Sequence, residues 1–479
     1  MFALHKSVRL KRDILEVLEN TNEYISTKQL TDILVYPSFN SVKQACAELK
    51  QQFEQFYHKE DAEFSIKVSE GVKLIRHSAN THHLIEELVA NDLAYTLLFN
   101  LLVKRTLVTD LFLENNYITR TTLYNRIRIL NDSLHRYGLH IALSSRISFR
   151  GAEHHIRMFG YIFLFNCHRM IQFLPDITLA NQMNIEQVTT NIFDYLKIPI
   201  SKNQKQKLAI LTYINTESIK THSHIPENIL FQHTNSIIYP DKPDFLSHWS
   251  MSDWQFYVAF LYIYNLIDSQ YNDQLILKSE FLFEEAIQTW LISFEKYLFP
   301  LFESEKKATK ILLDKQLIYT MNFPFEEKLL DNFNELNDYT DYQQFPELIE
   351  RFDFFWQELT EKQKIYQNSE YIRRMSLLTA IKLVDFEQLT PKLKIYIFSD
   401  ISDLHKNYLR ARLKTTLTTY ALTFVENYKE AQLIISTIEF LEELNESQRL
   451  LQVCSNFSLI DMSIVERAAQ KITSTAIDG

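Results

Sequence analysis

The stretch TLVTDLFLENNYITRTTLYNRIRILNDSLHRYGLHIALSSRISFRG, residues 106–151, decides the fold. Its first ten residues, as far as Asn115, carry the apolar spacing of a short helix, and NNYI breaks that spacing. Thr119 then stands where a helix needs an N-cap acceptor. Through RTTLYNRIRILNDSLHRY, Leu123, Ile127, Leu130 and Leu134 recur at helical intervals and define one apolar stripe, with Gly138 supplying the C-terminal stop. Residues 139–151, LHIALSSRISFRG, read as two short strands turning near Ser144 and Ser145. Short helix, break, longer helix and hairpin is the order of a winged helix-turn-helix.

With the apolar stripe turned inward, Thr121, Asn125 and Arg128 point away from it, Tyr124 and Thr122 lie at its edges, and Arg120 and Arg126 sit nearer the rims. These chemistries suit duplex DNA: asparagine pairs with adenine, arginine with guanine or phosphate, and hydroxyls with phosphate oxygens. Arg146, beside the hairpin turn, is the candidate wing contact. The competing reading is an ordinary amphipathic helix with a solvated basic face.

The same order occurs once upstream. Residues 7–20 place Val8, Ile14, Leu15 and Leu18 on one helical face, and 27–35 form a shorter helix stopped by Pro37. Asn40 is expected to cap a third helix reaching about Phe56, whose Val42, Ala45, Cys46, Leu49 and Phe53 share a face. Asn40, Lys43 and Gln44 are exposed by that geometry, and residues 64–76 turn as a hairpin at Ser69-Glu70-Gly71. Several acids between 54 and 70 make this copy the weaker, accessory DNA contact. One or two helices over 81–104 connect the copies.

Beyond residue 153 the pattern is helical to about 390, read as two all-α domains divided near 286. Then short apolar strands at 392–400, 421–426, 431–438 and 449–454 alternate with helices at 402–415 and 461–473, the pattern of a small parallel α/β domain. The expected architecture is mainly α and multidomain. It comprises winged helix-turn-helix domains over 1–80 and 81–152, all-α domains over 153–285 and 286–390, and an α/β domain over 391–479.

Composition narrows the chemistry. The 479 residues include only five glycines, and no GxGxxG or GxxxxGK run is present to cradle a phosphate. Cys46, Cys167 and Cys454 lie more than a hundred residues apart, which fits buried thiols in a reducing cytoplasm. Neither His82-His83 nor His154-His155 suits a shared metal, because helical neighbours diverge by about 100°. Asp400 and Asp403, beside a strand end, have the chemistry to hold a cation, but two carboxylates on a loop read more simply as solvated. No enzymatic activity, cofactor, metal or membrane span is expected. Net charge is −10, yet residues 101–150 hold eight lysines and arginines against three acids. A basic head on an acidic body fits an anion-binding end joined to regulatory or assembly domains.

Residues 111–165, LFLENNYITRTTLYNRIRILNDSLHRYGLHIALSSRISFRGAEHHIRMFGYIFLF, resemble the Mga family of virulence regulators from low-GC Gram-positive bacteria. The likeness lies in the break before a Ser/Thr-rich cap, in L-Y-x-R-I-x-x-L-N and in the closing F-R-G-x-E-x-x-I-R-x-F. It implies two helix-turn-helix modules, two phosphotransferase-system regulation domains and an enzyme IIB-like C-terminal domain. It further implies a cytoplasmic homodimer on double-stranded promoter DNA, tuned by histidine phosphorylation from the phosphocarrier protein of that system. In KLAILTYINTESIKTHSHI, residues 207–225, His222 and His224 are the matching phosphoacceptors, against the plainer reading of two solvated loop histidines. No histidine occurs between 301 and 400, and FSDISD lacks the IIB cysteine. Two other readings are a soluble phosphotransfer component of sugar uptake, disfavoured by that missing thiol, and an RNA-binding antiterminator, disfavoured by the two helical heads.

Overall fold

The computed structural model describes residues 5–34, 38–175, 177–227, 237–264, 266–271, 275, 277–278, 281, 283–322, 346–367, 369–384, 392–418, 420–445 and 448–475. Pro37, read as a helix stop, lies outside them. The chain divides into two compact units: Met1–Trp290 with Lys306–Asp338 and Gln363–Ser376, and Leu291–Glu305 with Tyr339–Lys362 and Leu377–Gly479.

The first unit opens with helices α1 (Lys6–Glu19), α2 (Thr27–Leu34) and α3 (Phe39–Phe56), then the hairpin of β1 (Ala62–Lys67) and β2 (Gly71–Arg76). Their apolar faces share one core in which Ile14, Leu15, Leu30, Val42, Leu49 and Phe64 are at most 1% exposed. Ser38, not Asn40, caps α3: its side chain accepts the Ser41 N–H, leaving Asn40 inside the first turn and exposed. A serine two residues upstream reaches the free N–H groups first. Gly71 has φ +110, and a Cβ there would stand 2.1 Å from the Ile25 carbonyl oxygen, so the hairpin can dock against the α1–α2 link only through glycine.

Helices α4 (His82–Ala90) and α5 (Leu93–Lys104) lead into the second copy: β3 (Thr106–Val108), α6 (Thr109–Asn115), α7 (Arg120–Leu134), β4 (His140–Leu143) and β5 (Arg146–Arg150). Residues 106–108, read from sequence as the start of a helix, form a strand instead. Thr106 and Val108 are β-branched, and an open edge of β5 is available to them, so the hairpin becomes a three-stranded antiparallel sheet in the order β3-β5-β4. At the far end of α7 the chain tightens into a 3-10 turn over His135–Tyr137 before Gly138, at φ +66.

The unit continues with α8 (Glu153–His168), α9 (Leu179–Tyr195), α10 (Lys202–Lys220) and α11 (Met251–Ile263). Within this almost wholly helical stretch, β6 (Ile237–Ile238) and β7 (Leu277–Lys278) pair as a short antiparallel bridge. Four more helices follow: α12 (Glu284–Tyr297), α13 (Glu303–Asn322), α14 (Pro346–Lys362) and α15 (Glu370–Leu383).

In the second unit β8 (Lys392–Phe398), α16 (Asp403–Thr416), β9 (Ala421–Phe424), β10 (Leu433–Ser436), β11 (Arg449–Gln452) and α17 (Leu459–Thr475) build a parallel sheet in the order β11-β10-β8-β9. Leu393, Ile395, Leu433 and Ile435 are fully buried or nearly so against Leu409, Leu413 and Val465 of its helices.

Candidate nucleic-acid interface

Thr119 caps α7 as its sequence suggests. Its Oγ1 accepts the Thr122 N–H at 3.2 Å, and the two hydroxyls lie 2.9 Å apart, which commits part of Thr122 to the cap. Leu123, Ile127, Leu130 and Leu134 are buried at 0–4% exposure and fix the helix's rotation. Thr121, Tyr124, Asn125 and Arg128 consequently face solvent, Tyr124 at 58% exposure, while Arg126 is half-buried.

Four side-chain hydrogen bonds hold the wing against α6 and α7. The Asn131 amide donates to the Ile141 carbonyl at 2.9 Å and accepts the Ile141 N–H at 2.7 Å, coupling helix to β4. The Ser144 carbonyl, in the wing turn, accepts from the Thr109 hydroxyl at 2.9 Å and from Arg120 Nη2 at 3.1 Å. Arg120 is therefore a strut between recognition helix and wing. Arg146 is exposed at the start of β5, and Arg150, exposed at its end, adds a cation the sequence reading passed over.

Among the described residues, the side chains of Asn125, Arg128 and Arg146 make no hydrogen bond or ion pair within the chain. Charged and amide groups presented this way keep their full capacity for an external anion or base edge. The first module differs. Asn40, Lys43 and Gln44 are exposed, but the Gln44 amide donates to Glu48 at 2.9 Å, Lys11 pairs with the same carboxylate at 2.8 Å, and in the hairpin Lys67 pairs with Glu70 at 3.0 Å. Lys11 and Gln44, bonded to the Glu48 carboxylate, hold its pKa below the usual value despite a smaller opposing push from burial.

Behind the second wing lies a chain of charges that sequence reading missed. Arg105, immediately before β3, donates from Nη2 to Glu153 at 2.6 Å and to Ser218 at 2.5 Å. Glu153 also accepts from Arg157 Nε at 3.0 Å. The Arg157 side chain is fully buried, and its other donors reach Asn215 at 2.7 Å, the Ser223 carbonyl at 2.7 Å and Asp253 at 2.6 Å. Burial alone raises the Asp253 pKa, but Arg157, His224, the Ile225 N–H and the Ser250 hydroxyl outweigh that and bring it below the ordinary 3.8. A lone arginine in the apolar run IRMFGYIFLF was the available signal, since a charge there cannot be buried without partners.

This chain ends at one of the two candidate phosphoacceptors. His224 Nδ1 lies 2.7 Å from Asp253 Oδ2, with the side chain 41% exposed. His222 stands exposed in the turn after α10, at φ +57, and no side-chain bond ties it to the described residues. In the second unit Ser399 sits directly after β8, where an IIB thiol was looked for. Its hydroxyl lies 2.7 Å from His405 Nδ1, while His405 Nε2 contacts the Ser455 carbonyl at 2.7 Å. Asp400 accepts from Thr437 at 2.7 Å, and Asp403 lies in the first turn of α16. Among the described residues no three His, Cys, Asp or Glu side chains converge as metal ligands, and no helix is long and apolar enough to cross a membrane.

A helix-turn-helix with a three-stranded wing and an open polar face on its second helix defines the class: a winged-helix nucleic-acid-binding module. Residues 77–165 match the family model of the Mga helix-turn-helix domain, which spans α4 to the greater part of α8. That match gives the chain an Mga-type helix-turn-helix domain over those residues and points to a DNA-binding transcription regulator. No curated protein matches the chain.

Proposed function

We propose that the chain regulates transcription by seating α7 in the major groove of promoter DNA, with Arg146 and Arg150 of the wing on flanking phosphates. Asn125 reads the groove floor, Arg128 grips a phosphate at its edge, Thr121 and Tyr124 contact the groove walls, and Arg126 approaches the rim. The carrying observation is that the side chains of Asn125 and Arg128 have no internal partner among the described residues, on a helix whose rotation is fixed by a buried stripe. The first module, through Asn40, Lys43 and Gln44, is an accessory contact. The chain acts in the cytoplasm as a homodimer, which matches paired half-sites on DNA, and it has no catalytic activity of its own. His224 receives phosphoryl groups from the phosphocarrier protein of the sugar phosphotransferase system. Its Nδ1 is anchored by Asp253 while the ring stays accessible, a combination His222 lacks.

Titration of a fluorescent mixed-sequence duplex of about three helical turns tests the DNA reading. Binding should weaken steeply with salt. Replacing Arg128 and Arg146 together by Ala should lower the slope of log K against log salt by about 1.8, at roughly 0.9 per phosphate contact. The same slope and affinity in that variant would overturn the placement of α7 and the wing.

A further inference from the structure

The turn between α6 and α7 closes in a specific way. Tyr117 N–H donates to the Glu114 carbonyl at 3.2 Å and Ile118 N–H to the Leu113 carbonyl at 3.1 Å, the paired bonds of a Schellman closure. Tyr117 occupies the left-handed position of that motif, at φ +52, where glycine is favoured because a Cβ costs on the order of 1–2 kcal/mol. Of the other non-glycine residues at positive φ, Lys197 and His222 are exposed with polar side chains that water solvates, and the remaining three recover the cost internally: Arg105 bonds Glu153 and Ser218, Arg169 lies over the Phe165 ring, and Phe457 is 1% exposed. Tyr117 recovers nothing of the kind. Its side chain is 97% exposed, and its hydroxyl has no partner among the described residues.

A bulky aromatic held in a strained backbone with its ring in water earns its place outside the chain. Its position says where: two residues before the Thr119 cap, at the end of α7 that carries Thr121 and Tyr124 and is strutted to the wing by Arg120. When a recognition helix enters the major groove by its N-terminal end, the preceding turn meets the sugar–phosphate backbone. Tyrosine suits that surface, with a hydroxyl to donate to a phosphate oxygen and an apolar ring to lie against deoxyribose.

The geometry assigns Tyr117, we propose, to the DNA interface as a positioning residue whose phenol hydroxyl donates to a backbone phosphate beside the groove that α7 occupies. This rests on the DNA reading above and extends it to a residue outside the helix and wing.

The test pairs Tyr117→Phe with Tyr117→Gly in the full chain, against the same mixed-sequence duplex between ~50 and ~200 mM salt. Tyr117→Phe keeps the ring and should weaken binding about 3- to 10-fold, the range for one lost hydrogen bond. Tyr117→Gly relieves the backbone and should raise Tm by a few degrees while weakening binding about 10-fold or more. That opposition of stability and affinity separates contact from folding. In both variants the salt slope should stay at the wild-type value, because a neutral hydroxyl displaces no condensed counterion, whereas Arg128→Ala lowers it. Wild-type affinity in both variants would overturn the assignment of Tyr117 and leave the DNA reading standing. A wild-type chain that ignores duplex at low salt would overturn both.

Discussion

Arg128 and Arg157 show two uses of the same side chain. Arg157 is fully buried and donates to Glu153, Asn215, the Ser223 carbonyl and Asp253, whereas Arg128, on the open face of α7, donates to nothing among the described residues. Polar groups that are closed off in this way fix the scaffold behind the wing, and those left open are available to a ligand. The first winged module stands between these extremes, since its helices are packed alike but acids already occupy Lys11, Gln44 and Lys67. A winged-helix shape is thus common to both modules, and the difference in free valence singles out the second.

The largest effect is expected where the groups are closed. Arg157→Met should destabilise the first unit by about 3–5 kcal/mol, because it leaves Asp253 without its buried cation and Glu153 with Arg105 alone. Urea unfolding at neutral pH measures this, and a loss below ~1 kcal/mol, the range of a surface ion pair, would break the contrast with the exposed arginines.

Acid probes the same chain. The folded pKa of Asp253 is lowered, so its ionised form contributes stability that is fully present above the ordinary carboxyl value near 3.8 and is lost as pH falls through the lower folded value. Asp253→Asn should be less stable than wild type at neutral pH, and the gap in urea midpoint should close as pH drops below about 4. A gap that is constant with pH would mean the carboxylate's charge is not what Arg157 and His224 require.

Sequence disclosed these regions unequally. Leu123, Ile127, Leu130 and Leu134 sit close together at regular spacing, so the rotation of α7 and the exposure of Asn125 and Arg128 could be read from one segment. Caps were harder. Two candidate residues within one turn, Ser38 and Asn40, compete for the same N–H groups, and only coordinates show which side chain reaches them. The strand at 106–108 depends on an edge supplied by β5, some forty residues later, and the Arg105–Glu153–Arg157–Asp253 chain joins residues separated by up to 96 positions. Such pairings have no local periodicity. Tyr117 was hidden for another reason: a turn residue's φ and exposure follow from how α6 ends, which composition does not encode.

On the open face, Asn125 carries the next largest effect. If its amide pairs with adenine, Asn125→Ala should leave binding to mixed-sequence duplex and stability nearly unchanged, yet cost about 1–3 kcal/mol of preference at one base pair. Selection from a randomised duplex pool, compared between variant and wild type, reads this out. Identical preferences would restrict α7 to backbone and shape recognition.

The smallest effect belongs to the first module, and it is the most direct check on what separates the two copies. Gln44 already donates to Glu48, and Lys11 neutralises much of that carboxylate, so replacing Lys43 and Gln44 by Ala removes little that was free to meet DNA. Affinity for the mixed-sequence duplex should change less than about 3-fold, with the salt slope lowered by no more than ~0.9. Glu48→Gln should act in the opposite direction: it releases Lys11 and removes a like charge from the approach of a phosphate, strengthening binding about 2- to 3-fold at low salt. If Lys43 and Gln44 instead cost as much as Arg128 and Arg146, both modules grip DNA equally, and internal pairing does not predict which surface binds.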